Sequence, residues 1–288
     1  MTLGKVIEIW RYPVKSMGGE QLERSSLGEL GIPGDRGWAL RDEKAREIRG
    51  AKKFPALLLC NARYLEEPSG TLIPPAEIAL PDGTRAQSDD PEAALLLSQL
   101  VGRQVSLWPR RPPEDLEHYR RRLPEDPAER IRDLREMLGR LEDEPLPDFS
   151  VFPREILEFT SPLGTYFDAF PLHFLTTASL RELARLNPEA VFDRRRFRPN
   201  FLIELEPGTG TGFVEFDWCG RELSVGEARV WVEMPVVRCS MTTQPQGDLL
   251  KDPSVLRTIV RHANQNVGVY VRTLIAGEVR IGDTVEFV

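Results

Sequence analysis

The sequence predicts a mainly β protein with peripheral helices (α+β), an N-terminal β-barrel-like domain followed by a second β-barrel. Three observations lead there. The chain has 288 residues, enough for two modules at about 100–200 residues each. Short apolar segments, each closed by Gly, Pro or Asp, dominate both halves, as in antiparallel barrels or sandwiches. Between the halves, from Arg110 to Phe149, the composition turns abruptly to Arg, Glu, Asp and Pro. The expected domains are therefore 1–109 and 150–288, with a charged, partly helical insertion or linker at 110–149.

GKVIEIWRYPV sets Val6, Ile7, Ile9 and Trp10 among Lys5, Glu8 and Arg11, a half-buried strand that ends at Pro13. SSLGELG, GWALRD, ALLLCNARYL and AEIALPDG follow as further short β segments. In DDPEAALLLSQLVG, Asp89 or Asp90 caps a helix, Pro91 suits its first turn and Gly102 its end. VSLWP reads as one more strand. Inside the insertion, DPAERIRDLREMLGRLEDE places Ile131, Leu134, Leu138 and Leu141 on one helix face, with Asp126 as cap and Glu129 three residues on. That helix is read as a lid or spacer packed on the barrel, its mixed charges as a solvated face. In PLHFLTTASLRELARLN a strand passes into a helix capped by Thr177 or Ser179 and carrying Leu180, Leu183 and Leu186. RRFRPNFLIELEP, FVEFDWCG, ELSVGEARVWVEMPVVRCSM, GVYVRTLIAGEV and DTVEFV supply strands, with the helix DPSVLRTIVRHAN among them.

Charge narrows the partners. Asp and Glu outnumber Lys and Arg 45 to 38, a net −7, so there is no global field for nucleic acid or an anionic membrane. No apolar run approaches the roughly 18 residues of a membrane span, and the N-terminus has no secretory pattern. A cytoplasmic protein acting on a small molecule is expected. Cys60, Cys219 and Cys239 are odd in number and far apart, which argues against a disulfide framework or a zinc knuckle. His118, His173 and His262 are too scattered for a histidine metal site, and His173 reads as a satisfied core histidine. Walker, dinucleotide-binding, zinc-protease and nucleophile-elbow motifs are absent. The GTGTG run at Gly208–Gly212 leads into FVEFDW, read as a strand, and so lacks the helix N-terminus of a phosphate cradle.

What remains is a set of basic and small polar residues at strand ends: Lys15, Ser16, Arg36, Thr177, Ser179, Arg198, Asn200 and Arg238. In an acidic protein such a collection points to a bound anion, because guanidinium forks grip phosphate oxygens and hydroxyls complete the shell. Taken singly, each arginine is better explained by pairing with a surface carboxylate. Cys239 follows Arg238 and precedes the hydroxyl-rich SMTT, so its thiolate could serve as nucleophile or soft-metal ligand, or its thiol as a small buried hydrophobe. Cys60 and Cys219 fit the second description better.

Five ordered motifs, YPVKS, GDRGW, PLHFLTTASL, FRPN and RCSMTT, resemble the MOSC family with its N-terminal β-barrel domain, which includes bacterial MOSC proteins and the amidoxime-reducing component of mitochondria. The likeness runs from Val6 to the closing GEVRIGDTVEFV and skips the charged stretch at 110–149. It implies a molybdenum cofactor, a pterin dithiolene, held in a cleft between the two domains. Cys239 matches the family's molybdenum-ligating, catalytic cysteine. Arg238 neighbours it, and Lys15, Ser16, Arg36, Ser179, Arg198 and Asn200, with Thr177 a looser match, fall at positions that hold the pterin and its phosphate. The implied activity is reduction of N-hydroxylated or other N-oxygenated compounds, with electrons from a separate flavin or iron–sulfur reductase. The alternatives are a carrier of molybdenum cofactor or sulfur without turnover, and a barrel that has lost its cofactor. No pyridoxal phosphate, haem or iron–sulfur cluster is expected in this chain. One departure stands out: after RCSMTT many relatives read V-D-P, whereas here Gln244-Pro245 follows, and an acidic residue near the metal is missing.

Overall fold

The computed structural model describes residues 1–69 and 72–288. Its largest element is a closed barrel of seven strands, ordered Phe201–Leu205, Leu172–Thr176, Asn266–Ile275, Ala228–Val237, Glu222–Val225, Thr284–Phe287 and Thr2–Arg11, the last pairing back onto the first. Neighbours are antiparallel except Leu172–Thr176 and Phe201–Leu205, which run parallel with Phe174 opposite Phe201. That exception follows from the helix Thr177–Leu186 between them, the crossover a parallel pair needs. Val6, Ile9, Phe174, Ile203, Val230, Val269 and Val285 fill the interior, as period-two alternation requires, and Trp218 is buried among them.

The expected class, mainly β with peripheral helices, holds. The division by residue number is cut across by strand pairing: Thr2–Arg11 is a stave of the second barrel, and Arg24–Leu27 pairs with Gly277–Arg280. Glu20–Leu22 adds an eighth strand beside Thr2–Arg11, and the other strands of the N-terminal region form two three-stranded antiparallel sheets, Glu47–Ile48, Trp38–Asp42 and Val105–Pro109 in one, Asn61–Tyr64, Ala76–Ala79 and Arg85–Gln87 in the other. Trp38, Leu40, Leu57, Ala62, Ile78 and Leu97 share their core. Asp90 caps the helix Pro91–Val101 and Gly102 ends it in the left-handed region, as the sequence predicts.

Three local readings are corrected. FVEFDW forms a 3-10 turn at Val214–Trp218 rather than a strand, which turns Trp218 into the barrel interior. The helix after TTASL is capped by Thr176, whose hydroxyl accepts from Ser179 N, not by Thr177 or Ser179. The cap shifts because Thr176 is still extended, at ψ 151°, and so has the backbone a cap needs. In the insertion, Pro127–Leu138 is helical with Asp126 as cap, but Gly139 ends it, so Leu141 falls outside. Of its apolar stripe only Leu138 is buried, and Ile131 is exposed. Among the described residues no helix is long and apolar enough to cross a membrane.

Candidate functional site

The site forms where the parallel strand pair begins and the N-terminal loops meet it. Pro13 stops the first strand, and the chain after it lies against Trp38, whose carbonyl accepts from Lys15 N at 2.8 Å. The GDRGW loop folds back so that Arg36 N donates to Tyr12 O at 2.7 Å and Asp35 Oδ1 accepts from Tyr12 N at 2.7 Å. Opposite, Asn200 N donates to His173 O at 2.8 Å at the mouth of the parallel pair. Asn200 joins the two halves: its Nδ2 donates to Asp35 Oδ2 at 2.9 Å and to Trp10 O at 3.1 Å, while its Oδ1 accepts from His173 N at 3.1 Å.

Around this knot the cations collect. Arg36 and Arg198 lie over the Tyr12 ring at 4.7 and 4.2 Å, and the Tyr12 hydroxyl is fixed on Pro199 O at 3.0 Å. Arg36 is paired with Asp35, and Arg198 donates to Met17 O. Arg238 donates to Phe197 O at 2.9 Å, and its buried Nε has no partner among the described residues. Lys15 donates to Tyr166 O at 2.7 Å and Asp168 Oδ1 at 2.9 Å. Ser16 turns inward, its hydroxyl accepting from Ala51 N at 2.9 Å, and anchors the loop that carries Lys52. Ser16, Arg36 and Arg198 all have left-handed backbones, at φ 71°, 47° and 57°. Non-glycine residues hold such angles only where their surroundings fix them, commonly at functional sites.

The charge does not balance. Among the described residues this cluster sets Lys15, Arg36, Arg198 and Arg238 against Asp35 and Asp168. Burial and the neighbouring Arg36 push the Arg198 guanidinium down to about 10. Burial also lowers Arg238 and Lys15. Lys15, Lys52 and Arg36 hold the exposed Asp168 carboxyl well below its usual range. His173 is driven far down by burial and by Arg238 and Arg36, so it is a neutral imidazole, and its Nε2 is buried without a partner among the described residues. It is a core histidine as predicted, but not a satisfied one.

Cys239 leaves the end of the strand Ala228–Val237 beside this cluster, half-buried, and heads the turn Ser240–Thr243; its carbonyl accepts from Thr242 N at 3.2 Å. Arg238, Tyr270 and Arg140 are its neighbours. Cys60 is buried in the N-terminal core and its thiol is raised to about 11 by burial, an inert environment.

The structure thus brings together Lys15, Ser16, Arg36, Arg198, Asn200, Arg238 and Cys239. Thr177 and Ser179 lie elsewhere, at the far end of the strand from His173, about 10 Å on at the usual rise. There Ser179 donates to Glu215 Oε1 at 2.6 Å and Thr176 to Glu215 Oε2 at 2.8 Å, while Thr177 accepts from Arg181 at 3.2 Å. Those side chains serve the helix entry, not the cationic cluster. Tyr12 and Asp35 escaped the sequence reading although YPVKS and GDRGW contain them, because only cations and hydroxyls signal an anion site. Asp168, Tyr270 and Arg140 carry no local signal at all.

A phosphate-bearing, metal-carrying cofactor fits this donor set. The excess buried positive charge and the unpartnered Arg238 Nε suit an anion. Among the described residues no group of three or more His, Cys, Asp or Glu side chains comes together. Cys239 therefore stands as a lone soft donor, suited to a metal that arrives with its own ligands.

Two family models match the chain: a MOSC domain at residues 164–286 and a MOSC N-terminal beta barrel domain at residues 3–103. No curated protein matches it. Solved structures similar to it include the YUAD protein from Bacillus subtilis, at 13% identity and TM-score 0.43, covering 99% of this chain and 94% of that one. YiiM from Geobacillus stearothermophilus is 21% identical and YiiM from Escherichia coli 19%, each at TM-score 0.32 over 41% of this chain and 54% of theirs. The chain spans about half the length of those two.

Proposed function

The chain belongs to the MOSC family, with both its domain and the N-terminal beta barrel domain present, and from that premise we propose that it is a molybdenum-cofactor-dependent oxidoreductase reducing N-hydroxylated or other N-oxygenated compounds. The observation that carries this reading is the uncompensated buried cation cluster beside the half-buried Cys239. Arg36, Arg198 and Lys15 grip the cofactor's phosphate, with Arg238 Nε free to donate. Asn200 and Asp35 hold Arg36 in place. Cys239 ligates the metal through its thiolate. When bound, the group supplies two-electron oxygen-atom transfer. The half-exposed Asp168 carboxylate, at 53%, stands at the edge of the cation cluster, held by Lys15. It supplies a negative group there although the V-D-P acid is replaced by Gln244-Pro245. Electrons come from a separate flavin or iron–sulfur protein, and the chain works in the cytoplasm on a small molecule.

Protein purified from a cofactor-competent host should carry molybdenum and reduce an N-hydroxylated amidine with a chemical electron donor. Cys239→Ala should lose both and keep its fold by circular dichroism. Molybdenum without turnover on any N-oxygenated compound would favour the carrier reading. Undiminished turnover by Cys239→Ala would overturn the ligand assignment.

A further inference from the structure

The two family models leave residues 104–163 unmatched, yet this segment reaches the Cys239 turn. Gly139 ends the insertion helix in the left-handed region, at φ 66°, and a Cβ there would meet Leu256 Cδ2 at 2.8 Å and Ser240 Cα at 3.3 Å. The Ser240 hydroxyl donates to Met137 O at 2.8 Å, and Arg257 pairs with Glu144 and donates to Gly139 O. The helix end is thus fastened directly to the residue after Cys239.

The next residue is Arg140, 6% exposed. Its Nε donates to Gln265 Oε1 at 2.9 Å, one terminal nitrogen to Leu138 O at 2.7 Å and the other to Arg238 O at 2.9 Å. Gln265 in turn accepts from Arg238 N through its own carbonyl at 2.9 Å. Arg140 therefore ties together both sides of the barrel rim from which Cys239 emerges. All three acceptors are neutral. Glu144, the nearby acid, is committed to Arg257 and to Leu141 N. Cys239 follows directly on Arg238, whose carbonyl Arg140 holds. A strut that only braced the rim would be cheaper without a charge, because a buried ion lacking a counter-ion is costly.

We propose that Arg140 is a positioning residue of the cofactor site, supplied by the insertion: it fixes the Arg238–Cys239 backbone and offsets the negative charge of the metal-bound Cys239. The inference rests on Cys239 being the molybdenum ligand. Positioning groups of this kind typically change metal affinity by about 10–100-fold when removed.

The test compares molybdenum per chain after gel filtration in wild type, Arg140→Gln, Arg140→Lys and Cys239→Ala, all from a cofactor-competent host. Arg140→Gln can still donate to Arg238 O but lacks the charge. It should retain about a tenth of the wild-type metal or less, and Arg140→Lys should recover most of it. Arg140→Gln loaded like wild type while Cys239→Ala is empty would overturn the role of Arg140. Cys239→Ala loaded like wild type would instead overturn the ligand reading beneath it. If Arg140→Gln fails to fold by thermal melt, Arg140→Lys decides: folded and loaded supports the role of the charge, folded and empty rejects it.

Discussion

The two ends of one parallel strand pair, Leu172–Thr176 and Phe201–Leu205, bury opposite kinds of polar group. At the start, around His173 and Asn200, cations outnumber carboxylates and two ring or guanidinium nitrogens lack partners. At the far end a carboxyl, Glu215, is fully buried with no cation beside it among the described residues, each oxygen held by a hydroxyl. Burial raises its pKa, favouring the neutral, protonated form that such a site tolerates. The second cluster is closed: every group has a partner and nothing needs to enter. The first is open: its cations outnumber its carboxylates, and an anion would balance it. Burial of polar groups alone does not distinguish a site from a scaffold, whereas the balance of charge does.

Mutations should separate the two ends. The largest loss is expected from Asn200→Leu, which strips Asp35, Trp10 O and His173 N of a partner at once. About 3 kcal/mol of stability should disappear in chemical denaturation. Glu215→Ala should cost about 2 kcal/mol through a cavity and the loss of two hydroxyl hydrogen bonds. Glu215→Gln should stay within about 1 kcal/mol at neutral pH. The sign of the pH effect distinguishes it further. With Glu215 raised above its unfolded value of about 4.3, the folded chain keeps a proton that the unfolded chain releases, so stability falls as pH rises through that window. Glu215→Gln should flatten that fall; an unchanged slope would reject the buried neutral carboxyl. The smallest effect, and of opposite sign, belongs to Arg198→Met in cofactor-free protein. Removing an uncompensated buried cation should leave stability equal or raise it by about 1 kcal/mol, and a loss of several times that would make Arg198 a structural strut.

Local chemistry made much of this legible. Asp90, Asp126 and Asp252 cap helices followed by proline, a signal contained in adjacent residues. Strand alternation revealed most staves of the barrel, and the strand-end cations marked most of the cationic cluster. What escaped depends on contacts across the chain. Asp35 meets Asn200 across 165 residues, and Arg140 meets Gln265 across 125, distances that no motif spans. FVEFDW misled because aromatic and β-branched residues favour strands, yet burying Trp218 inside the barrel favours a tight turn. Ser179 misled because a hydroxyl at a helix entry serves a phosphate or a carboxyl equally well, and Glu215 lies 36 residues away.

The central claim, that the open cluster is a receptor for an anionic metal cofactor, is tested most directly by elemental analysis for molybdenum and phosphorus. Wild type and the double variant Arg36→Met, Arg198→Met would be purified side by side from a cofactor-competent host. The wild type should carry the two elements together and the folded double variant neither. Wild type without either element, or a double variant loaded like it, would contradict the claim.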